Sequence, residues 1–510
     1  MMANFVQTRL LAPTPLGHLA RAVSAVEVTG DPATRIAGVR QDSRRVEAGD
    51  LFVVRAGERT TGLRYVADAL ARGAVALMAE SNLSPIPLKV PVVIVSDVRR
   101  ALARAAALVC GDPFEALDVV GITGTNGKTT IAHLVEKALL GAGHRPGVMG
   151  TVGYRFEDLA LEATHTTPEA DELARVAAAM VARGASHLVM EVSSHAIAQA
   201  RVDAVRFRVA AFTNLTQDHL DYHGDMESYG ETKARLFLEM SPAASVVNVE
   251  DPFGAKLAAR IAGPLVTVSH RVGSDADIAP LGVSLGPKRT AATVRTRAGE
   301  VLLDSSLIGV HNLSNILVCL GICSALGVDL HVAAASLREV SVPGRLERCD
   351  GLGDDVVVVV DYAHTPDALD RALSALTLLR ERDDAAGRLI CVFGCGGDRD
   401  PAKREPMGRA VAKWADIAVV TTDNPRGEDP AEIANAILPG LEGARATIVE
   451  LDRARAIAFA ISGARPGDLV LIAGKGHETY QISRGITRHF DDREEARAAL
   501  ALRRKREQGA

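Results

Sequence analysis

Residues 121–130, GITGTNGKTT, are of types that could hold a phosphate chain. Gly124 and Gly127 let the backbone fold tightly with its amides directed at an anion, and the helix that follows adds the positive end of its dipole. In such a loop Lys128 reaches the β and γ phosphates, and the hydroxyl of Thr129 coordinates Mg²⁺. The strict G-x-x-x-x-G-K-[ST] pattern fails at its first glycine, but the strand–turn–helix setting still predicts a nucleotide site. Its residues are Gly124, Thr125, Asn126, Gly127, Lys128, Thr129 and Thr130.

Acidic and imidazole side chains follow two later apolar segments. Glu191 ends the strand HLVMEV, at the edge where ligands collect in open α/β sheets, and its carboxylate could hold Mg²⁺ against the phosphates. The loop TNLTQDHLDYHG carries His219 beside further carboxylate and imidazole groups. Taken alone, this loop also suits a transition-metal hydrolase, so that alternative stays open at this point.

Three polar motifs in the last third of the chain each follow an apolar strand. They are CVFGCGGDRDPAKR (391–404), TTDNPRGEDP (421–430) and GKGHE (474–478). Because the carboxyl ends of parallel strands meet in one crevice, these motifs should converge. Two arginines and a glutamate in one pocket suit a ligand with carboxylate and ammonium groups, since Arg–carboxylate pairs are bidentate. The candidate residues are Arg399, Asp423, Asn424, Pro425, Arg426, Gly474 and Glu478.

Alternating strands and helices must position these motifs, and they predict an α/β fold of three domains. Residues 1–112 predict a small α/β N-terminal domain that ends at the turn formers CGDPF. Residues 113–341 predict a central P-loop ATPase-like domain with a parallel sheet, in which the stretch 264–308 should form an antiparallel insertion or edge. Residues 342–510 predict a Rossmann-like domain. Its charged C-terminal tail should be a helix that frays.

The composition excludes several classes of function. A formal net charge of -5 gives no basic field for nucleic acid or membrane, and 4% aromatic residues argue against base-stacking platforms. The 6 cysteines are scattered without a CxxC pair, which fits reduced thiols better than zinc or disulfide frameworks. The sequence shows no signal-peptide pattern and no run of about 18 apolar residues. We therefore expect a cytoplasmic monomer without nucleic-acid or membrane partners.

GTNGKTT between a strand and a helix resembles the Mur ligase family, the ATP-dependent amino-acid-adding enzymes of peptidoglycan synthesis. That family has the same departure from the strict phosphate-loop pattern at the first glycine. Further motifs of the family follow in order along nearly the whole chain. The resemblance implies ATP as co-substrate and Mg²⁺ as cofactor. It implies catalytic roles for Lys128, Glu191, His219 and Lys233, and it implies that Thr129, Glu191, His219 and Lys233 serve the metal.

Lys233, in SYGETKARLF, stands where these ligases carry a lysine carbamylated by CO₂ (N6-carboxylysine). Without the resemblance, a lone lysine on a helix would be an ordinary surface residue. Carbamylation turns a cation into an anion that can steady Mg²⁺. It requires a lysine of lowered pKa, which burial near a metal can supply.

The resemblance also implies further substrate contacts. HNLSNIL, PGRLE and DYAHTPDAL match the motifs on the adenine side, at the hinge and on the ribose side of ATP, with Asn312, Arg345 and Asp361. HTTPEA resembles the motif that contacts the muramoyl peptide, and DSRRVEAGDLFVV resembles the domain that grips UDP. The positions implied for UDP-N-acetylmuramoyl-L-alanyl-D-glutamate are Ser43, Thr166, Thr167, Ser193, Gln199 and Arg201. Residues 57–61, where uracil contacts would lie, depart from the family pattern.

In this family DNPR marks the enzymes that add meso-2,6-diaminopimelate. Lysine-adding relatives lack the arginine, because lysine has no distal carboxylate to hold. The resemblance thus implies an ATP-dependent acid–amino-acid ligase that works through an acyl phosphate.

Four alternative functions are disfavoured by particular residues or domains. Arg426 disfavours a lysine-adding ligase, and the extra N-terminal domain disfavours a folate-polyglutamate ligase. A regulatory module without chemistry is disfavoured by Lys128, Glu191, His219 and Lys233, and a metal hydrolase is less favoured still.

Overall fold

The computed structural model describes residues 12–55, 62–80, 89–163, 165–286, 289–351, 353–380 and 387–508. The predicted uracil contacts at 57–61 lie outside the described residues. The chain divides into two compact units. The first comprises Met1–Pro280, Arg295–Val301 and Asn315–Ser336, and the second comprises Leu281–Val294, Leu302–Ser314 and Leu337–Ala510.

The first unit begins with a small α/β region whose strands form one sheet of five strands and a separate sheet of two. Its strands are β1 (Thr14–Pro15), β2 (Glu27–Thr29), β3 (Arg35–Ile36), β4 (Gly38–Arg40), β5 (Asp50–Val53), β6 (Ala76–Ala79) and β7 (Val92–Ile94), with helices α1 (Leu16–Ala22), α2 (Val66–Ala71) and α3 (Val98–Val109). Five strands pair in the order β2-β7-β6-β5-β4, and only β2 runs antiparallel to its neighbour. Leu51 and Phe52, successive residues of β5, enter two different hydrophobic clusters. Both faces of the sheet are therefore covered, which explains why β5 and β6 are buried along their whole length.

The central sheet follows in the same unit. Its strands are β8 (Asp118–Thr123), β9 (Pro146–Gly150), β10 (Gly153–Phe156), β11 (Leu159–Leu161), β12 (His187–Glu191), β13 (Phe207–Phe212), β14 (Ala244–Asn248) and β15 (Leu265–Val268). Its helices are α4 (Lys128–Gly141), α5 (Ala170–Ala182), α6 (Ser194–Ala198), α7 (Leu220–His223), α8 (Met226–Leu238) and α9 (Pro252–Ala258). The strand order is β11-β10-β9-β12-β8-β13-β14-β15, so β8 lies inside the parallel part, between β12 and β13.

Within 264–308, where an antiparallel insertion or edge was expected, β15 does lie at the edge of the main sheet, but it pairs in parallel with β14, so its expected direction was wrong. The alternating pattern of β15 comes from a half-buried edge strand of the main sheet, and a short sequence does not distinguish these cases. Three further strands, β16 (Ala279–Leu285), β17 (Thr290–Thr296) and β18 (Gly299–Ser305), form a sheet of their own. Helices α10 (Val310–Leu326) and α11 (Leu330–Ser336) follow.

The second unit contains the C-terminal sheet. Its strands are β19 (Glu347–Arg348), β20 (Val357–Asp361), β21 (Leu389–Phe393), β22 (Ile417–Val420), β23 (Thr447–Val449) and β24 (Leu469–Ala473), followed by the hairpin β25 (Tyr480–Ser483) and β26 (Ile486–His489). Its helices are α12 (Pro366–Arg380), α13 (Arg404–Trp414), α14 (Pro430–Ile437), α15 (Arg453–Ser462) and α16 (Asp492–Gln508). The order β19-β20-β24-β21-β22-β23 is parallel except at β19. Alternate residues of β20 enter two hydrophobic clusters, one with α12 and α13 and one with α15 and α16.

The C-terminal tail forms α16, which packs against the core of the second unit, so the expectation that it frays was wrong. Ala496 and Leu500 are buried in the core of the second unit. Arg503 donates to the carbonyl oxygens of Ile461 at 3.0 Å and Ala464 at 2.8 Å. The helix is charged on one face and apolar on the other, and the apolar face holds it in place.

Three mostly parallel sheets with interleaved helices confirm the α/β prediction. Among the helices that the structure describes, none is long and apolar enough to cross a membrane.

Candidate active site

The phosphate loop joins β8 to α4 with two glycines in the left-handed half of backbone space. Gly124 has φ 143° and Gly127 has φ 87°. A Cβ atom on Gly124 would collide with Thr213 Oγ1, and one on Gly127 with the amide of Asn315. The hydroxyl of Thr213 donates to the carbonyl oxygen of Asn126 at 2.6 Å and fixes the loop against the end of β13. Both glycines are therefore required by backbone angle and by space.

Two lysines meet at this loop. Lys128 Nζ donates to the carbonyl oxygens of Gly124 and Thr125 at 2.8 and 2.7 Å. Lys233 is buried on α8, and its Nζ donates to the same Gly124 oxygen at 3.0 Å. Burial, together with the nearby Lys128, holds the pKa of Lys233 well below its usual range. The loop thus brings two lysines to one carbonyl oxygen, and the buried one, Lys233, is of depressed basicity.

Glu191, at the end of β12, is buried against the first turn of α4. Its Oε2 accepts from Thr129 Oγ1 at 3.0 Å, and its Oε1 accepts from the Thr151 amide at 2.8 Å. A hydroxyl and a carboxylate are hard oxygen donors of the kind that Mg²⁺ prefers, so these residues fit the predicted ion. Among the side chains that the structure describes, no three His, Cys, Asp or Glu form a metal cluster.

His219 caps α7 with φ 53° and lies beside Asp218, whose Oδ2 is 3.5 Å from its Nε2. Its ring centroid is 4.9 Å from that of His195 and 6.2 Å from that of Tyr229. Tyr229 in turn lies under Lys233 Nζ, 4.4 Å from the ring centroid. The turn that begins α7 and the helix α8 therefore bring His219 and Lys233 to the same aromatic neighbour, Tyr229.

The predicted muramoyl-peptide positions gather around the end of β12. Thr167 Oγ1 donates to the Glu191 carbonyl at 2.8 Å and accepts from the Ser193 amide at 3.0 Å. Arg201 donates to the carbonyl of Thr167 at 3.0 Å and to Gln199 Oε1 at 2.8 Å. Thr166 joins the group through its hydroxyl, 3.1 Å from that of Thr151.

A chain of contacts connects Gln41, two residues before Ser43, to this group through Glu169, and the sequence did not single out Gln41 or Glu169. Ser43 is buried at the start of a short turn that Gln41 precedes. Gln41 Nε2 donates to Glu169 Oε2 at 2.9 Å, and Glu169 Oε1 pairs with Arg201 Nη2 at 2.8 Å. Glu169 directly follows the Thr-Thr-Pro motif and precedes α5, which was the only signal available. Glu169 thus links the segment just before Ser43 to Arg201.

Two of the predicted ATP positions, Asp361 and Arg345, lie at the end of β20. Asp361 accepts from the amides of Leu346 at 2.7 Å and Ala363 at 2.8 Å, and its burial raises its pKa. The guanidinium of Arg345 lies 4.7 Å from the ring centroid of Tyr362. Asn312, on α10, is buried, and its amide donates to the carbonyl of Ile308 at 3.0 Å.

The strand ends of β21, β22 and β24 form one pocket in the second unit. Asn424 Nδ2 donates to Glu478 Oε2 at 2.9 Å, and Arg426 Nη1 donates to the Gly397 carbonyl at 2.7 Å. Asp423 Oδ2 would lie 3.5 Å from a Cβ added to Gly474.

Both predicted arginines flank Gly396. A Cβ added there would lie 2.9 Å from Arg426 Nη1 and 3.9 Å from Arg399 Cγ. Pro425 continues the turn, and its carbonyl accepts from the Glu428 amide at 3.0 Å. The structure therefore brings all seven predicted amino-acid-binding positions to neighbouring strand ends.

The pocket also contains a buried lysine, Lys475, that the sequence analysis did not select. Its ammonium contacts Asn424, Asp423 and Glu478. The motif GKGHE was recognised, but a lysine is ordinarily a surface residue, and nothing in the pattern predicts its complete burial.

Family models match three successive parts of the chain. The Mur ligase family catalytic domain matches residues 35–109, the Mur ligase middle domain residues 122–323, and the Mur ligase glutamate ligase domain residues 344–476.

Individual relatives agree with these matches. The UDP-N-acetylmuramoyl-L-alanyl-D-glutamate–2,6-diaminopimelate ligase of Gloeobacter violaceus is 46% identical over 491 residues, covering 96% of this chain and 99% of its own length. The enzyme of that name from Geobacter metallireducens is 44% identical over 509 residues, covering 95% and 98%. A solved structure with the same name aligns with a TM-score of 0.70 at 31% identity, covering 96% and 99%. The resemblance found in the sequence is confirmed: the chain belongs to the Mur ligase family.

Proposed function

We propose that the chain is an ATP-dependent ligase that joins meso-2,6-diaminopimelate to UDP-N-acetylmuramoyl-L-alanyl-D-glutamate in peptidoglycan precursor synthesis. The observation that carries this function is the pocket of the second unit, where two arginines flank Gly396 and Asn424 holds Glu478. Guanidinium groups suit the carboxylates of a diamino diacid, and the glutamate suits an ammonium group. The relatives that bear this enzyme's name span nearly the whole chain.

In the first half of the proposed reaction, ATP transfers its γ-phosphoryl group to the free carboxylate of the UDP-linked dipeptide. The carboxylate oxygen attacks phosphorus, ADP leaves, and an acyl phosphate results. Such transfers need positioning and charge neutralisation more than covalent chemistry by the protein. Lys128 and the loop amides would hold the phosphates, and Arg201 with Thr167 would orient the dipeptide.

Thr129, Glu191, His219 and carbamylated Lys233 would hold Mg²⁺. The ion would neutralise charge on the phosphate oxygens. The low basicity of Lys233 supports the carbamate, because only an uncharged amine reacts with CO₂.

In the second half, the amine of diaminopimelate attacks the acyl carbon, and phosphate leaves from the tetrahedral intermediate. Arg399 and Arg426 would clasp the carboxylates of the amino acid, with Asp423, Asn424 and Glu478 beside its ammonium group. Asn312, Arg345 and Asp361 would contact ATP.

We further propose the division into residues 1–112 for the UDP substrate, 113–341 for ATP and 342–510 for the amino acid. A cytoplasmic monomer fits the substrates, all of which are small and water-soluble.

An ATP-turnover assay with UDP-N-acetylmuramoyl-L-alanyl-D-glutamate and a panel of amino acids tests the function. Phosphate release should require the dipeptide and should be strongest with meso-diaminopimelate. Equal turnover with lysine would refute the choice of amino acid. Turnover with a folate and glutamate would favour the folate alternative, and ATP hydrolysis or binding without any ligation would favour a regulatory module.

A further inference from the structure

Lys475 is a buried ammonium in the amino-acid pocket that the proposed reaction does not use. Its side chain is 0% exposed. Its Nζ donates to Asn424 Oδ1 at 3.1 Å and to the Tyr480 carbonyl at 2.7 Å. It also lies 3.5 Å from Asp423 Oδ1 and 3.8 Å from Glu478 Oε2. One lysine thus contacts the three polar side chains that would receive the substrate's ammonium.

The charges around Lys475 come from four elements. Asp423 follows β22 and Glu478 follows β24, while Arg453 on α15 and Asp492 on α16 lie behind them. Arg453 and Asp492 form a buried pair of 2.6 Å and neutralise each other. Two carboxylates therefore face one ammonium, so the cluster of Asp423, Glu478 and Lys475 carries one net negative charge. Arg426, which also lowers the pKa of Glu478, is left for a carboxylate of the substrate.

One acceptor in this cluster is incompletely used. Asp423 Oδ1 is buried, and among the described groups none donates a hydrogen bond to it. A buried acceptor without a donor is costly, so it is well suited to a ligand that brings one. A single substrate ammonium would meet both the spare acceptor and the remaining negative charge.

We propose that Lys475 is a positioning residue that sets specificity for an amino acid with one ammonium group at this end of the pocket. It offsets one of the two carboxylates and fixes Asn424 and Glu478 through direct contacts. This inference rests on the proposed function and deepens it. It holds that the charge of the pocket depends on Lys475, which is not one of the seven predicted amino-acid-binding positions.

The charge argument predicts a pH signature. Burial and the neighbouring Asp423 raise the pKa of Glu478, and Lys475 counteracts them. Without Lys475 the pKa of Glu478 rises further, so this carboxylate is protonated at higher pH. The acidic limb of kcat/KM for diaminopimelate then moves toward neutral pH, an effect that a purely structural lysine would not produce.

The test compares the full-length Lys475→Met and Lys475→Gln variants with the wild type. Each is assayed with meso-diaminopimelate, ATP and the UDP-linked dipeptide from pH 6 to 9. We expect both variants to raise KM for diaminopimelate by about tenfold or more, with kcat and the KM for ATP within about threefold. The acidic limb should shift upward in both, and Lys475→Gln should keep more affinity because its amide can still donate to Asn424. Lys413→Met, an exposed lysine on α13, is the control.

An unmoved acidic limb, or equal losses for all three substrates, would overturn the proposal. Failure of both variants to fold would count against it as well, since the lysine would then be structural. The wild type in the same assay distinguishes a failure of this inference from a failure of the proposed function. If the wild type does not ligate diaminopimelate, the proposed function is wrong.

Discussion

Lys128 and Lys233 donate to one and the same acceptor, the carbonyl oxygen of Gly124, at 2.8 and 3.0 Å. Two ammonium groups so close together repel each other, and the buried one gives up its proton more easily. The pKa of Lys233 is therefore lowered by burial first and by Lys128 second. A carbamate on Lys233 would replace this repulsion by attraction.

Replacing Lys233 by alanine should lower ligation by about 100-fold or more, the size typical for losing an electrostatic group of an active site. Short carboxylic acids such as acetate should restore part of the activity, because they can supply the missing anion in the space left by the side chain. Phosphate release at increasing acetate concentration measures both effects. The matched control is Lys256→Ala, which removes an exposed lysine of α9. Full activity of Lys233→Ala without added acid would contradict the carbamate.

Replacing Arg426 by alanine should raise KM for diaminopimelate by about 30-fold or more. The change removes the protein's half of the charge pair that Arg426 would form with a carboxylate of the bound amino acid, and such a truncation costs at least about 2 kcal/mol. KM for ATP should stay near the wild-type value. Steady-state kinetics with each substrate varied in turn gives the answer. Arg455→Ala is the control, because that guanidinium is 75% exposed on α15. An unchanged KM for diaminopimelate would contradict the role of Arg426 in binding the amino acid.

The phosphate loop and the three polar strand ends were predictable because their chemistry is local in the sequence. Gly124, Lys128 and Thr129 lie within one turn, and Arg426 follows its strand directly. Lys475 and Glu169 were not predictable, because their roles depend on burial and on partners more than 50 residues away, as with the 51 residues that separate Lys475 from Asn424 and the 128 that separate Glu169 from Gln41.

Replacing Glu169 by glutamine should raise KM for the UDP-linked dipeptide by about five- to tenfold. The change removes the charge that pairs with Arg201 and weakens the contact with Gln41. The segments that carry these two residues then lose the side chain that contacts both. KM for diaminopimelate should not change. Glu172→Gln, on the next turn of α5, is the control, since its carboxylate pairs with Arg45. If both variants raise the dipeptide KM equally, the effect is a general loosening rather than a link through Arg201.

Arg453 and Asp492 form an ion pair with both side chains 0% exposed. Arg453 also donates to the carbonyls of Thr422 and Ala473 at 3.0 Å each, and these residues directly precede Asp423 and Gly474. The pair therefore fastens two strand ends of the amino-acid pocket to α15 and α16.

Replacing Arg453 by methionine should lower the free energy of unfolding of the second unit by about 3–5 kcal/mol, because Asp492 is left as an uncompensated buried charge. The double change Arg453→Met with Asp492→Leu should recover much of this loss, since a well-packed apolar pair can replace a buried ion pair. The sequence has 1 tryptophan, Trp414 on α13, so its fluorescence during urea unfolding reports on this unit. A single variant that loses less than about 1 kcal/mol would show that neither the ion pair nor the carbonyl contacts of Arg453 hold these strand ends. A double variant no more stable than the single would show that the loss comes from the carbonyl contacts and not from the unpaired charge of Asp492.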